Sequence, residues 1–184
     1  MRIAVTGTHG SGKTTLIDDF VAAHPAYEHE QEPYWALAQH EGTPFADGAT
    51  SADLEEQLEQ SCAMILASVA SPDIVYDRCP LDFVAYLEVV AVREGFEWVP
   101  SGKLLGRIEK ALASLGLVVF LPLSRPDEID VTIELPRLRS KVDTRLKAII
   151  RDDKLGLLEG RPKILELRGT RAERLARLAE IVAG

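Results

Sequence analysis

Gly7, Gly12, Lys13 and Thr14 satisfy the pattern G-x-x-x-x-G-K-[ST] within Gly7-Thr8-His9-Gly10-Ser11-Gly12-Lys13-Thr14. Each position has a physical task in binding a chain of phosphates. Gly7, Gly10 and Gly12 permit backbone torsions closed to other residues, so successive N–H groups turn inward around an anion. Lys13 reaches the β- and γ-phosphates, and the Thr14 hydroxyl is placed for a divalent cation. The binding candidates are therefore Thr8, His9, Gly10, Ser11, Gly12, Lys13, Thr14 and Thr15, with His9 contributing its backbone N–H rather than its ring.

A second constellation is Asp77-Arg78-Cys79-Pro80, which ends an apolar run, Ile74-Val75-Tyr76. A carboxylate there is suited to orient Mg²⁺, directly or through water, and an adjacent guanidinium is suited to bridge phosphoryl oxygens. Thr14 and Asp77 are thus the metal candidates. Glu28, Glu30 and Glu32 lie near the end of another short run, and a carboxylate there can accept the proton of an attacking hydroxyl. Glu32 ranks ahead of Glu30.

The elements that must position these groups alternate. Residues 2–6, 26–30, 73–77, 116–121 and 163–167 read as buried parallel strands. A helix-like segment follows the glycine-rich loop, as the motif requires. Further helical patterns cover 53–70, with Asp53 near the cap, 81–94 ended by Gly95, 101–114 stopped by Gly116, 137–153, and 170–182 opened by Thr170. Residues 42–52 and 122–136 read as loops. Strand and helix in alternation imply an α/β single domain with a parallel sheet covered on both faces.

Bulk properties exclude several classes. A net charge of −8 lacks the basic footprint of a nucleic-acid binder. Apolar runs such as Leu117–Leu121 are too short for a bilayer, and no secretory signal opens the chain. Cys62 and Cys79 make no disulfide framework and fit the cytoplasm. His9, His24, His29 and His40 have no metal-ligand spacing. Charge is also uneven: residues 14–77 contain no Lys or Arg but thirteen Asp and Glu. That stretch builds most of an acceptor pocket, which favours an acceptor with a free hydroxyl and no phosphate, and even a cationic one. Residues 137–154 are the reverse, with Arg137, Arg139, Lys141, Arg145, Lys147, Arg151 and Lys154.

The loop motif, Glu32-Pro33 with Trp35, and Asp77-Arg78 together resemble the nucleoside-kinase and thymidylate-kinase-like branch of P-loop kinases. In deoxynucleoside kinases a Glu-Pro after the second strand carries the base, and an acidic-Arg-Ser motif ends the third; here Cys79 replaces the Ser. The arrangement is also similar to small bacterial P-loop ATP-binding proteins related to nicotinamide-ribonucleoside kinase domains. The resemblance covers the whole chain in layout and three short motifs in sequence.

It implies a three-layer P-loop NTPase fold, strand order 2-3-1-4-5, and an ATP- and Mg²⁺-dependent small-molecule kinase acting on a nucleoside-like hydroxyl. Lys13, Glu32, Asp77, Arg78 and a lid arginine, Arg139, are then the catalytic candidates. The lid falls at about 122–154, with Leu135-Pro136 as its stiff start and Arg137 and Arg145 as further phosphate candidates. Gln57 or Gln60 would read a base, and Arg171, after Gly169-Thr170, would stack on adenine. A monophosphate kinase remains an alternative, as does a nucleotide-binding regulatory ATPase or GTPase. For the last, Ser140-Lys141-Val142-Asp143 approximates a guanine-reading motif, but at the wrong place. A mechanical AAA+ ATPase is disfavoured by the chain's length. Oligomeric state stays open, a dimer included.

Overall fold

A computed structural model of the chain describes residues 1–33, 49–124, 135–160 and 162–184. Five parallel strands form one sheet, in the order β2-β3-β1-β4-β5. They are β1 Arg2–Thr6, β2 Glu28–Glu30, β3 Ile74–Asp77, β4 Leu117–Phe120 and β5 Lys163–Glu166. Six helices are present among the described residues: α1 Lys13–Ala23, α2 Ser51–Ala67, α3 Pro80–Glu94, α4 Gly102–Ala113, α5 Pro136–Asp152 and α6 Arg171–Ala183. This is the three-layer architecture and strand order that the motifs imply. Trp35, residues 42–48 of the first loop and residues 125–134 of the lid segment lie outside the described residues.

Side-chain alternation divides the core into two layers. Ile3 and Val5 of β1, Val75 of β3, and Leu117 and Val119 of β4 pack with Leu16, Ile17 and Phe20 of α1 and Leu178 of α6. Their neighbours Ala4, Tyr76, Val118 and Phe120 face the layer of α2, α3, α4 and α5. The same alternation puts Asp77 on the face of α1. Register then gathers the chemistry at one edge. Val5 pairs with Asp77 and Thr6 with Phe120, so the carboxyl ends of β1, β3 and β4 lie side by side beneath the loop. Ligands of open α/β sheets bind at that edge.

Asp53 does lie near the cap of α2: Thr50 is the cap, and Asp53 closes a capping box by accepting the Thr50 N–H at 2.8 Å. At α6, Thr170 and Glu173 form the same box. Thr170→Ala is therefore expected to cost about 1 kcal/mol of stability, read as a lowered melting temperature, with nucleotide affinity unchanged. A selective loss of nucleotide affinity would instead place Thr170 in the site.

Among the described residues, no helix is long and apolar enough to cross a membrane. Cys62 and Cys79 are buried and free, and burial pushes the Cys62 thiol up to about 12.

Candidate functional site

The loop between β1 and α1 is built around a close approach. A Cβ at Gly7 would lie 2.7 Å from both the Leu121 carbonyl oxygen and Ser11 Oγ, so only glycine fits. Gly12 caps α1 with φ 91°, a left-handed conformation, and no side chain caps the helix amides. The first turn of α1 is thus left open towards an anion, with the positive end of the helix dipole behind it.

Carbonyls of the loop are held by arginines from three separate parts of the chain. Arg78 Nη1 donates to Gly7 O at 3.3 Å, and Arg174 Nη1 of α6 donates to Ser11 O at 3.1 Å. Arg139 of α5 donates through Nε to His9 O at 2.9 Å and through Nη2 to Gly10 O at 3.0 Å. Asp82 of α3 accepts the Gly7 N–H at 2.9 Å and the Cys79 N–H at 3.0 Å, which ties the loop to the start of α3. Tyr86, one turn later, places its hydroxyl 3.3 Å from both Thr8 Oγ1 and the His9 amide nitrogen.

Inside this frame the chemical groups converge. Lys13 is buried, and Nζ donates to Thr8 O at 3.3 Å. Thr14 is exposed, and its hydroxyl donates to Asp77 Oδ2 at 2.6 Å. The other Asp77 oxygen, Oδ1, is buried without a hydrogen-bond partner among the described residues. A hydroxyl beside a buried carboxylate with an unmet oxygen is a donor set that fits Mg²⁺. Arg78 sits at φ 79°, an uncommon conformation for a non-glycine residue that persists where the surroundings over-determine it. It turns the guanidinium back beneath the loop, with Nε 3.1 Å from Glu32 Oε1 and Nη1 3.5 Å from Asp82 Oδ1, over the ring of Tyr86.

The electrostatics follow from burial and these neighbours. Burial lowers the Lys13 pKa, and Arg78 adds to the effect against the pull of Asp77 and Glu32. Burial raises the Asp77 carboxyl above its ordinary range, despite Lys13 and the Thr14 hydrogen bond. Burial acts on Glu32 in the same sense, but Arg78 and Lys13 outweigh it and hold that carboxyl below its usual value. Glu32 is therefore ionised at neutral pH. Burial, with Arg78, Arg139 and Lys13, lowers His9 to about 4.

A group whose folded pKa lies below its unfolded value of 6.5 binds fewer protons in the folded state between the two. His9 stability is thus fully present above pH 6.5 and is lost as pH falls towards about 4. In nucleotide-free protein, the stability of the wild type relative to His9→Gln is expected to fall over that window, measured by denaturant titration. A pH-independent difference would refute the linkage.

The remaining candidates fall at different distances from this cluster. Thr15 is half-buried on α1. Gln57 of α2 is buried, with Oε1 lacking a hydrogen-bond partner among the described residues, and Gln60 is half-buried. Four residues beyond Gln57 on the same helix face, Ser61 lines a narrow cleft with Gln31, Met64, Asp77 and Arg78. Arg137 is exposed. Arg145 pairs with Glu88 of α3, with Nη2 2.7 Å from Oε1. Arg171 forms a bidentate pair with Asp19 of α1, at 2.6 Å on each arm, on the outer surface. Arg174, three residues later, reaches the loop; sequence reasoning missed it, along with Asp82 and Tyr86. Ser140–Asp143 lies inside α5, and Asp143 accepts from Leu123 N at 2.9 Å and Lys147 Nζ at 2.5 Å. That carboxylate is engaged in structure, which argues against a guanine-reading role.

Larger clefts are also lined by described residues. One of about 520 Å³ adjoins the loop through Arg174 and is lined also by Leu123, Ser124, Ser140, Lys147 and Arg168. Another of about 590 Å³ runs between α3 and α5 over Val89, Val92 and Trp98, and no loop residue lines it.

Comparison with known proteins agrees with this fold. The sequence model described as an AAA domain matches residues 2–174. No curated protein matches the chain in sequence. Among solved structures, deoxyadenosine kinase from M. mycoides with bound dATP aligns at TM-score 0.65 and 12% identity over 100% of both chains. Thymidylate kinase from Candida albicans aligns at TM-score 0.65 and 16% identity over 98% of this chain and 90% of that one. NadR protein in complex with NAD and AMP-PNP aligns at TM-score 0.69 and 17% identity over 99% of this chain and 49% of that one, so the chain spans about half of it. At these identities the likeness is one of fold.

Proposed function

The chain belongs to the AAA domain family, and on that premise we propose that it transfers the γ-phosphoryl group of ATP, with Mg²⁺, to a hydroxyl of a nucleoside-like small molecule. The observation that carries the proposal is the convergence of Lys13, Asp77, Arg78 and Glu32 at one end of the sheet, where the Arg78–Glu32 contact of 3.1 Å joins a phosphate-binding cation to a candidate base.

In this reading the loop amides and Lys13 bind the β- and γ-phosphates, and Lys13 stabilises charge as it shifts to the leaving oxygen. Thr14 and Asp77 would hold Mg²⁺, which supplies charge neutralisation across the phosphates. Arg78 faces the transferring group. Glu32 orients the acceptor hydroxyl and takes its proton. Arg139 and Arg174 act as positioning residues by fixing the loop carbonyls. The nucleotide base enters the cleft bounded by Leu123, Arg168 and Arg174. The lid is assigned to the segment around 122–154.

The acceptor enters beside α2, with Gln57 and Ser61 as its polar contacts. No Lys or Arg lies in residues 14–77, and Arg78 already faces both Glu32 and Asp82. Residues 14–77 thus offer no cation to an acceptor phosphate, which favours an unphosphorylated nucleoside, and a cationic one suits the acidic wall. The test is ADP formation from Mg·ATP across nucleosides, their monophosphates and cationic ribosides. Turnover with nucleosides or cationic ribosides is expected. Preference for monophosphates would overturn the acceptor assignment and make this a nucleotide kinase.

A further inference from the structure

Tyr86 sends its hydroxyl from the buried face of α3 into the middle of the phosphate loop, 3.1 Å from His9 Nδ1 and 3.3 Å from the His9 amide nitrogen. The amide donates, so the hydroxyl accepts there and keeps one proton to give. Given to Nδ1, that proton leaves the neutral ring protonated on Nε2. Nε2 is buried and has no hydrogen-bond partner among the described residues. A buried polar atom without a partner calls for one, and the loop around this ring is shaped to encircle phosphate.

We propose that His9 is a phosphate-contacting residue of the nucleotide site, held by Tyr86 so that Nε2–H donates to a phosphoryl oxygen, and that nucleotide binding is linked to protonation of its ring. This inference rests on the nucleotide site proposed above and gives the imidazole a role that the loop motif assigns only to the backbone. The groups facing the ring are Lys13 of α1, Arg78 after β3, Tyr86 of α3, Arg139 of α5 and Glu32 after β2. Without nucleotide, burial and the three cations keep the ring neutral, with a pKa of about 4. A bound triphosphate reverses the local charge and favours the imidazolium, which takes its proton from solvent. Nδ1–H then donates to the Tyr86 hydroxyl, and that hydroxyl turns its own proton to Thr8 Oγ1, 3.3 Å away.

The test is calorimetric binding of a non-hydrolysable ATP analogue with saturating Mg²⁺ to wild type, His9→Gln and Tyr86→Phe. Titrations are run at about pH 6 and about pH 8, on either side of an ordinary histidine, in buffers of different ionisation enthalpy. At the lower pH the wild type is expected to take up more protons than His9→Gln, since the ligand's own protonation is common to both. Its affinity advantage over His9→Gln should grow several-fold on going from the higher to the lower pH, within the limit of about tenfold per pH unit for one linked proton. Tyr86→Phe should bind more weakly at both pH values and still take up protons. Equal proton uptake by wild type and His9→Gln, or a pH-independent affinity ratio, would overturn the proposal. Failure of all three proteins to bind would instead overturn the nucleotide site, and this inference with it.

Discussion

Replacing Lys13 with Met is expected to abolish turnover while raising the melting temperature of the nucleotide-free protein. The two effects share one cause. Lys13 is 5% exposed, and among the described residues its hydrogen bond is to a single carbonyl, Thr8 O at 3.3 Å. Burial and Arg78 both disfavour its charge, so a charged Lys13 carries an electrostatic cost in the folded chain that bound phosphate offsets. Methionine fills the same volume with no charge to desolvate. A gain of about 1 kcal/mol would raise the melting temperature by about 2–4 °C in a chain of this size. Loss of a cation aimed at developing negative charge should lower kcat by about 10²–10³-fold or more. Saturating Mg·ATP should reverse the order of stability, because only a protein that binds the ligand well gains from it. Calorimetry with and without nucleotide, beside an ADP-release assay, reads all three effects. A Met variant less stable than wild type without nucleotide would mark Lys13 as a structural cation.

Glu32→Gln is expected to lower kcat by about 10²–10⁴-fold, the range for loss of a general base, and to leave nucleotide binding intact or slightly tighter. Glutamine keeps an acceptor for Arg78 Nε, while Asp82 and the Gly7 carbonyl continue to hold the guanidinium. The fold should therefore survive. The negative charge removed lies close to Lys13 and Arg78, so both cations become freer for phosphate. The comparison is Glu30→Gln. Glu30 lies on β2 opposite Tyr76, away from the Arg78 contact, and its replacement should leave turnover near wild type. Single-turnover kinetics with separately measured nucleotide affinity distinguishes the two variants. If Glu30→Gln stops turnover and Glu32→Gln does not, the base is Glu30.

Much of this architecture is legible in the chain because it rests on local rules. The loop motif needs its glycines at fixed offsets, and the buried strands read as apolar runs. Thr170 followed by Glu173, or Gly95 after an apolar helix, marks a boundary within a few residues. Asp82 had a readable signal too, three residues after Cys79 and two after a proline that opens a helix, yet its second bond reaches Gly7, 75 residues away. Arg174 shows the limit more clearly. The segment after β5 does carry an arginine to the loop, but the cap at Thr170 fixes the rotation of α6. That rotation turns Arg171 outward to Asp19 and Arg174 inward to Ser11, a contact spanning 163 residues. No local pattern encodes which arginine faces the loop. The left-handed backbone at Arg78 is equally silent in sequence, because a non-glycine residue carries no mark of it.

The most direct test of phosphoryl transfer is the fate of the γ-phosphoryl group itself. With the acceptor found in the panel, phosphorus NMR of a reaction in Mg·ATP should show one phosphomonoester formed for each ADP, and neither product with Lys13→Met. Stoichiometric inorganic phosphate in place of the ester would show that water is the acceptor, and would contradict the assignment of a phosphotransferase.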